Sequence, residues 1–208
     1  GKTGAPYSYI ENLSETNNTR STIETTYGIE FDYISNPAKT TERFVRVLYT
    51  IKNSPAEAVN IKRGDWIFTI DGNPITSTNI GDLITGKKSM RLQVGTLNED
   101  KLPTDTRIVT IGPAQSITNN PIYYYNTYER DNKKIGYLVY NSFVSGEGND
   151  TRYNDQLKEI SNEFKAENVE EFILDLRYNL GGELDRPVPL LCTMLTPAET
   201  IGKPMGFV

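Results

Sequence analysis

Residues 54–72 read SPAEAVNIKRGDWIFTIDG, and this stretch anchors the interpretation of the whole chain. Ser54 followed by Pro55 predicts a short helix with a serine cap and a proline at its first helical position. Residues 66–70 are rich in β-branched and aromatic side chains, which predicts a strand. Asp71-Gly72 then predicts a tight turn with positive φ. The stretch therefore predicts a helix, a strand and a turn in close succession.

The sequence around this stretch, from 25 to 116, predicts a small β-rich unit with two short helices. Alternation of apolar and polar residues predicts half-buried strands, and apolar residues three and four apart predict a second helix that ends at Gly86. The strands are expected near 28–34, 44–51, 66–70, 90–94 and 106–111, and the second helix over 79–85.

A different pattern begins at Pro121 and predicts strand, helix, strand, helix over 135–140, 153–168, 171–176 and 184–195. This order predicts a βαβ unit with parallel strands and a right-handed crossover. The third segment is almost wholly apolar, which predicts a strand covered on both faces of its sheet. We therefore expect an α+β, multidomain chain, with a second unit at 117–208 and a linker or incomplete N-terminal segment at 1–24.

Composition excludes several chemistries. The 208 residues include no histidine and one cysteine, and the formal charge is −5. These counts exclude a Ser-His-Asp triad, a Cys-His pair and an intrachain disulfide. The acidity argues against binding to nucleic acid. No metal-ligand spacing occurs, so we expect neither metal nor cofactor, and no apolar run is long enough to span a membrane.

Residues 173–184, ILDLRYNLGGEL, predict a buried strand that runs into a Gly-Gly turn and then a helix. Open α/β sheets bind ligands at this carboxyl end, where freed amide N–H groups favour negative charge. A nucleotide site is a weak alternative because neither GxGxxG nor GxxxxGK[ST] is present. The purely structural alternative is that the two glycines only allow tight packing of the turn.

The order of residues 54–72 resembles the signature of bacterial PDZ domains, with Asn60 where glycine is usual. The resemblance implies that the first unit binds protein C-terminal tails as an added strand. It assigns Tyr27-Gly28-Ile29-Glu30-Phe31 to the carboxylate-binding loop, although an ordinary strand start remains the alternative. The opposite wall of the groove would comprise Ile80, Leu83 and Ile84, whose alternative role is core packing.

Residues 173–184, together with KIGYLVYNSF at 134–143, resemble the carboxyl-terminal processing, or tail-specific, serine peptidases. The resemblance spans roughly 27 to 197 and implies a serine nucleophile activated by a neutral lysine. It assigns the amides of Gly181 and Gly182 to the oxyanion hole. The remaining polar residues of the motif are expected to hold the turn: Asp175, Arg177 and Asn179.

The family's serine motif and lysine lie downstream of the matching region, and nothing like them occurs before Val208. Ser142 and Ser145 lack the G-x-S-x-G context of a nucleophile and are expected in a loop. We therefore expect an inactive fragment of a parent peptidase from the periplasm or cell envelope. We expect no signal sequence in this fragment, and the sequence does not decide whether the parent carries a lipid anchor. Two alternatives remain: a non-catalytic, PDZ-containing peptide-binding envelope protein, and a ligand carrier that reuses the α/β crevice.

Overall fold

The computed structural model describes residues 23–86, 88–146, 150–179, 181–183 and 187–195. These residues form three sheets and four helices. In chain order the elements are β1 (Ile23–Thr26), β2 (Ile29–Asn36), β3 (Lys39–Thr50), α1 (Pro55–Ala58), β4 (Trp66–Ile70), β5 (Asn73–Thr76), α2 (Asp82–Thr85), β6 (Met90–Leu97), β7 (Pro103–Ile111), β8 (Gln115–Thr118), β9 (Ile122–Arg130), β10 (Lys133–Tyr140), α3 (Arg152–Ala166), β11 (Glu171–Asp175) and α4 (Pro187–Leu195).

The first sheet has six antiparallel strands in the order β2-β3-β5-β4-β6-β7. The predicted helix cap is confirmed, because Ser54 Oγ accepts the N–H of Glu57 at 3.2 Å and Pro55 begins α1. The predicted turn is also confirmed, with φ values of 50° at Asp71 and 81° at Gly72. These elements enclose a largely aliphatic core contributed by both helices and by the sheet, with the buried Tyr27 beside it.

The predicted βαβ unit is confirmed. β10 and β11 pair in parallel, with Ile135 opposite Glu171, and α3 connects them. The apolar face of α3 packs on this sheet through Leu157, Ile160 and Phe164, all of them buried. α4 joins the same core, so both helices cover the same face. Of the helix expected over 184–195, residues 184–186 lie outside the described residues.

One expectation for β11 is wrong. Its apolar sequence predicted burial on both faces, yet Ile173 is 51% exposed. The physical reason is that α3 and α4 share a core on one face of the sheet, and nothing in the described part of the chain covers Ile173 on the other.

Strand β5 was not predicted, and neither were two further features of the sheets. β1 pairs with β8 in an antiparallel ribbon, and it begins at Ile23, so the last two residues of the predicted linker belong to a strand. The rest of that linker lies outside the described residues. β9 pairs with β10, but its tyrosine-rich sequence has no clear apolar and polar alternation, since tyrosine suits both a buried and an exposed face.

Aromatic contacts connect the two units. The Tyr49 ring lies 5.2 Å from the Tyr123 ring and 6.2 Å from the Tyr178 ring, measured between centroids. The Arg63 guanidinium lies 4.8 Å from the centre of the Tyr178 ring, a cation–π contact. Burial raises the pKa of Tyr49 to about 12. The first unit therefore touches the turn that follows β11.

Asn60 provides a test of the backbone that links α1 to β4. Its φ is 54° and its side chain is exposed. We expect Asn60→Val to lower the free energy of unfolding by about 1–2 kcal/mol, because a β-branched residue is strained in the left-handed region. Asn60→Gly should maintain or raise it. Urea unfolding of both variants measures the difference, and equal stability of the two would contradict the expectation.

Candidate functional site

The Gly-Gly turn lies at the carboxyl end of the parallel strands, beside the segment that follows β10. The Phe143 N–H donates to the Gly181 carbonyl at 2.9 Å, and the Glu183 N–H donates to the Phe143 carbonyl at 2.6 Å. These two bonds form a parallel bridge between Phe143 and Gly182. The turn is therefore fixed by main-chain contacts with a segment about forty residues earlier.

Position 182 requires glycine because the backbone of Phe143 approaches it closely. A Cβ at this position would lie 2.2 Å from the Phe143 carbonyl oxygen, and φ is 133°. At Gly181 a Cβ would meet nothing within 4 Å, and only its φ of 94° favours glycine. The two glycines therefore have different reasons to be glycine: space at Gly182 and backbone conformation at Gly181.

The two glycine amides are not equivalent as hydrogen-bond donors. The Gly181 N–H donates to Asn179 Oδ1 at 2.8 Å. Gly182 lies opposite Phe143 in the bridge and takes part in neither of its two hydrogen bonds. A residue in that position of a parallel bridge directs its N–H and C=O away from the partner strand, so the Gly182 N–H faces away from Phe143. Among the described residues this N–H has no acceptor. The Asn179 side chain thus already binds the Gly181 amide, and the assignment of both glycine amides to the oxyanion hole stays a prediction.

The Asn179 side chain connects the turn to the end of β10. While its Oδ1 accepts from Gly181, its Nδ2 donates to the Tyr140 carbonyl at 3.0 Å, at the end of β10. Both ends of one amide side chain are thus engaged with main chain, which fixes its orientation. Removing this side chain would free the Gly181 amide and release the turn from β10.

Asp175 ends β11 and is held by two partners. Its carboxylate accepts from Arg177 Nε at 2.9 Å and from the Tyr137 hydroxyl at 2.6 Å. The hydrogen bonds from Arg177, followed by that from Tyr137, hold the pKa of Asp175 well below its usual range. The bond to Asp175 raises the pKa of Tyr137 in return. A carboxylate that stays ionised is a poor proton donor or acceptor at neutral pH, so these contacts serve geometry.

Two serines lie in the segment that follows β10. Ser142 Oγ lies 3.5 Å from the Gly181 carbonyl oxygen. Ser145 is only 3% exposed, and its hydroxyl donates to Glu183 Oε2 at 2.7 Å. Among the described residues neither hydroxyl is bonded to a lysine, and the one basic group in contact is the Glu183 carboxylate at Ser145. This arrangement agrees with a loop role for both.

Glu183 was not singled out from the sequence. Its carboxylate contacts Ser145, 38 positions earlier, and no local sequence pattern predicts a contact over that separation. The only available sequence signal was its place directly after the two glycines.

The second candidate site is the open edge of β2. Among the described residues β2 pairs only with β3. The Ile51 N–H donates to the Gly28 carbonyl, and Ile29 faces Thr50 in the next position. Because hydrogen-bonded and non-bonded pairs alternate in antiparallel sheets, Ile29 directs its N–H and C=O towards the open edge.

The loop before β2 is tightly packed, and part of its main chain is not available to bind an anion. Tyr27 is fully buried, and its hydroxyl donates to the Lys88 carbonyl at 2.5 Å. The Gly28 N–H donates to Thr26 Oγ1 at 3.1 Å, so this amide is already engaged. Of the five loop residues, Ile29 therefore presents the main-chain donor nearest the edge, with Glu30 and Phe31 partly exposed beyond it.

The proposed groove wall divides into core and surface. Leu83 is 1% exposed and packs in the first core, so its side chain cannot line an open groove. Ile80 is partly buried against that core, and Ile84 is 54% exposed. Ile80 lies before the four-residue α2, and within that single turn Leu83 and Ile84 are adjacent residues that point in different directions.

The described residues hold no group of three or more His, Cys, Asp and Glu side chains arranged to bind a metal ion. In the same part of the chain, no helix has both the length and the apolar composition that crossing a membrane requires.

Comparison with known proteins gives matches to peptidases. The model of Peptidase family S41 matches residues 134–203. A carboxyl-terminal-processing protease from Picosynechococcus is 29% identical over 151 residues, which are 70% of this chain and 34% of that protein. A carboxy-terminal-processing protease from Bartonella bacilliformis is 25% identical over 162 residues, 76% of this chain and 35% of that protein. The chain thus spans about a third of the curated relatives that it matches.

Solved structures agree with these matches. A Bacteroides fragilis protein assigned to the S41 proteases is 31% identical, with a TM-score of 0.67, over 97% of this chain and 56% of that one. The photosystem II D1 C-terminal processing protease is 20% identical, with a TM-score of 0.53, over 86% of this chain and 46% of that one, which supports the fold alone.

Alanine substitutions of the two glycines test the geometry of the turn. We expect Gly181→Ala to lower the free energy of unfolding by about 1–2 kcal/mol, through its positive φ alone. Gly182→Ala should lower it by more, since its Cβ would meet the Phe143 carbonyl oxygen at 2.2 Å. Urea unfolding ranks the two variants, and a milder effect at Gly182 than at Gly181 would contradict the bridge geometry.

Proposed function

We propose that the chain belongs to the carboxyl-terminal processing peptidases of family S41, to which it is similar over 134–203, and that its parent is a serine endopeptidase that binds and cleaves protein C-terminal tails. Residues 25–116 form a PDZ-like tail-binding domain in this proposal. Residues 117–208 form the first part of the catalytic domain. The parent acts in the periplasm or cell envelope, on protein substrates with free carboxyl ends.

The observation that carries the proposal is the Gly182 amide. Its N–H lies at the carboxyl end of two parallel strands and faces away from the bridge to Phe143. An amide fixed in this way can donate to the oxygen that becomes negative when a peptide carbonyl is attacked. No side-chain rearrangement is required at that moment, since main-chain bonds on either side already fix the turn.

The nucleophile and its base belong to the part of the parent beyond Val208 in this proposal. A serine there attacks the carbonyl carbon, and a neutral lysine accepts the hydroxyl proton. The proton then passes to the leaving amine, and water releases the acyl group by the reverse sequence. The present chain supplies an oxyanion donor and its supports, and it is inactive by itself.

Tail binding is assigned to the open edge of β2. A peptide added as a further strand would bond to the Ile29 main chain, which faces that edge. Ile84, which is exposed, and Ile80 at its margin are available for an apolar side chain of the tail. Glu30 lies one residue along the same strand and disfavours acidic residues nearby in the peptide.

Binding can be tested with the chain as it is. We expect a peptide with an apolar C-terminal residue to bind weakly as the free acid and at least about tenfold more weakly as the amide, because the amide loses a charge-assisted hydrogen bond. Calorimetric titration of both peptides measures the ratio. Ile84→Asp should weaken binding, whereas Ile108→Asp on the distant β7 should not. Equal affinities for acid and amide would reject the carboxylate contact.

Catalysis requires the parent protein extended past Val208. We expect it to hydrolyse a peptide with a free carboxyl end, and replacement of its downstream serine by alanine should abolish hydrolysis. Mass spectrometry of the products gives the bond cleaved. Binding without hydrolysis would favour a non-catalytic peptide-binding protein, and hydrolysis that survives loss of the serine would reject the mechanism.

A further inference from the structure

Glu183 follows the two glycines directly and reaches back to the segment after β10. Its Oε2 accepts the Ser145 hydroxyl at 2.7 Å and the Ser145 N–H at 3.3 Å. We propose that Glu183 is a positioning residue, whose carboxylate fixes the Gly181–Gly182 turn and thereby the direction of the Gly182 N–H. Its catalytic consequence rests on the proposed function, whereas the positioning itself is a property of this chain.

Glu183 holds the neighbouring segment at two points. Its N–H donates to the Phe143 carbonyl, and its carboxylate bonds to Ser145 two residues further on. A residue fixed at both main chain and side chain has little freedom to rotate. The Gly182–Glu183 peptide unit is therefore restrained from its C-terminal side, as Asn179 restrains the turn from its N-terminal side.

The Ser145 end of this contact is buried and well supported. Ser145 is 3% exposed, so its N–H and hydroxyl would be costly to leave without an acceptor. Its carbonyl accepts the N–H of Tyr153 at 2.9 Å, in the first turn of α3. Tyr153 is itself 2% exposed. The carboxylate of Glu183 thus connects the glycine turn to a helix packed on the sheet, which is a rigid support.

No other described residue bonds to both groups of Ser145. A glutamine at 183 would keep an acceptor oxygen in reach, whereas an alanine would remove it. Ser145→Ala would remove the hydroxyl bond and keep the N–H bond. The three variants therefore keep the contact, remove one of its bonds or remove both, and none of them changes either glycine.

Amide NMR of the present chain tests the positioning directly. We expect Glu183→Ala to increase hydrogen exchange at the Ser145 amide at least about tenfold, as loss of a bond to a charged group implies, and to shift the Gly182 resonance. Glu183→Gln should restore both, and Glu99→Ala, in an exposed turn, should leave both unchanged. An unshifted Gly182 resonance in folded Glu183→Ala would overturn the proposal. Should that variant not fold, Ser145→Ala decides instead: a smaller shift in Gly182 supports positioning, and none overturns it.

Kinetics of the parent extended past Val208 test the consequence. We expect Glu183→Ala to lower kcat by about 10- to 100-fold and to change KM by less than about twofold, because a misdirected amide weakens transition-state binding alone. Glu183→Gln should recover most of kcat, which loss of stability by itself would not predict. An unchanged kcat in Glu183→Ala would overturn the catalytic consequence. A wild-type parent without activity would reject the proposed function, and the NMR result would still decide the positioning.

Discussion

The main-chain bridge at Phe143 is the constraint on which the rest of the site depends. Phe143 bonds to Gly181 on one side and to Glu183 on the other, so the segments that follow β10 and β11 are held in register beyond the ends of both strands. This approach leaves no room for a Cβ at Gly182. It also directs the Gly182 N–H away from Phe143. A single backbone contact therefore dictates that residue 182 is glycine and how its amide is oriented. Among the described residues, this is the one glycine amide of the turn that is open to an external acceptor, because that of Gly181 is bound to Asn179.

Side chains around the bridge act on it from different directions. Asn179 fixes the entry to the turn, and Glu183 fixes its exit. Asp175 holds the end of β11 through the Tyr137 hydroxyl and Arg177, whose side chain is largely exposed. Water screens the exposed part of the ion pair, so its geometry matters more than its free energy. The polar residues of the motif thus form a support for backbone, and none of them is poised for proton transfer.

The aromatic junction relates the turn to the β-rich unit. Tyr49 comes from β3, and Tyr178 lies between the end of β11 and the glycines. Arg63 adds a cation–π contact from the loop before β4. The β-rich unit therefore packs on the turn proposed for catalysis through β3, the strand next to the edge proposed for tail binding.

By itself the sequence determined the local elements and the family resemblance. The Ser54 cap, the Asp71-Gly72 turn and the apolar face of α3 follow from rules that act within a few residues, and the motifs at 54–72 and 173–184 carried the resemblance. Tertiary structure alone decided which groups meet. It buried Leu83, engaged the Gly181 amide with Asn179, exposed Ile173 and brought Glu183 to Ser145. These outcomes depend on the register of strands and on contacts between residues distant in the sequence, such as the 38 positions between Ser145 and Glu183, and no periodicity in the chain encodes such contacts.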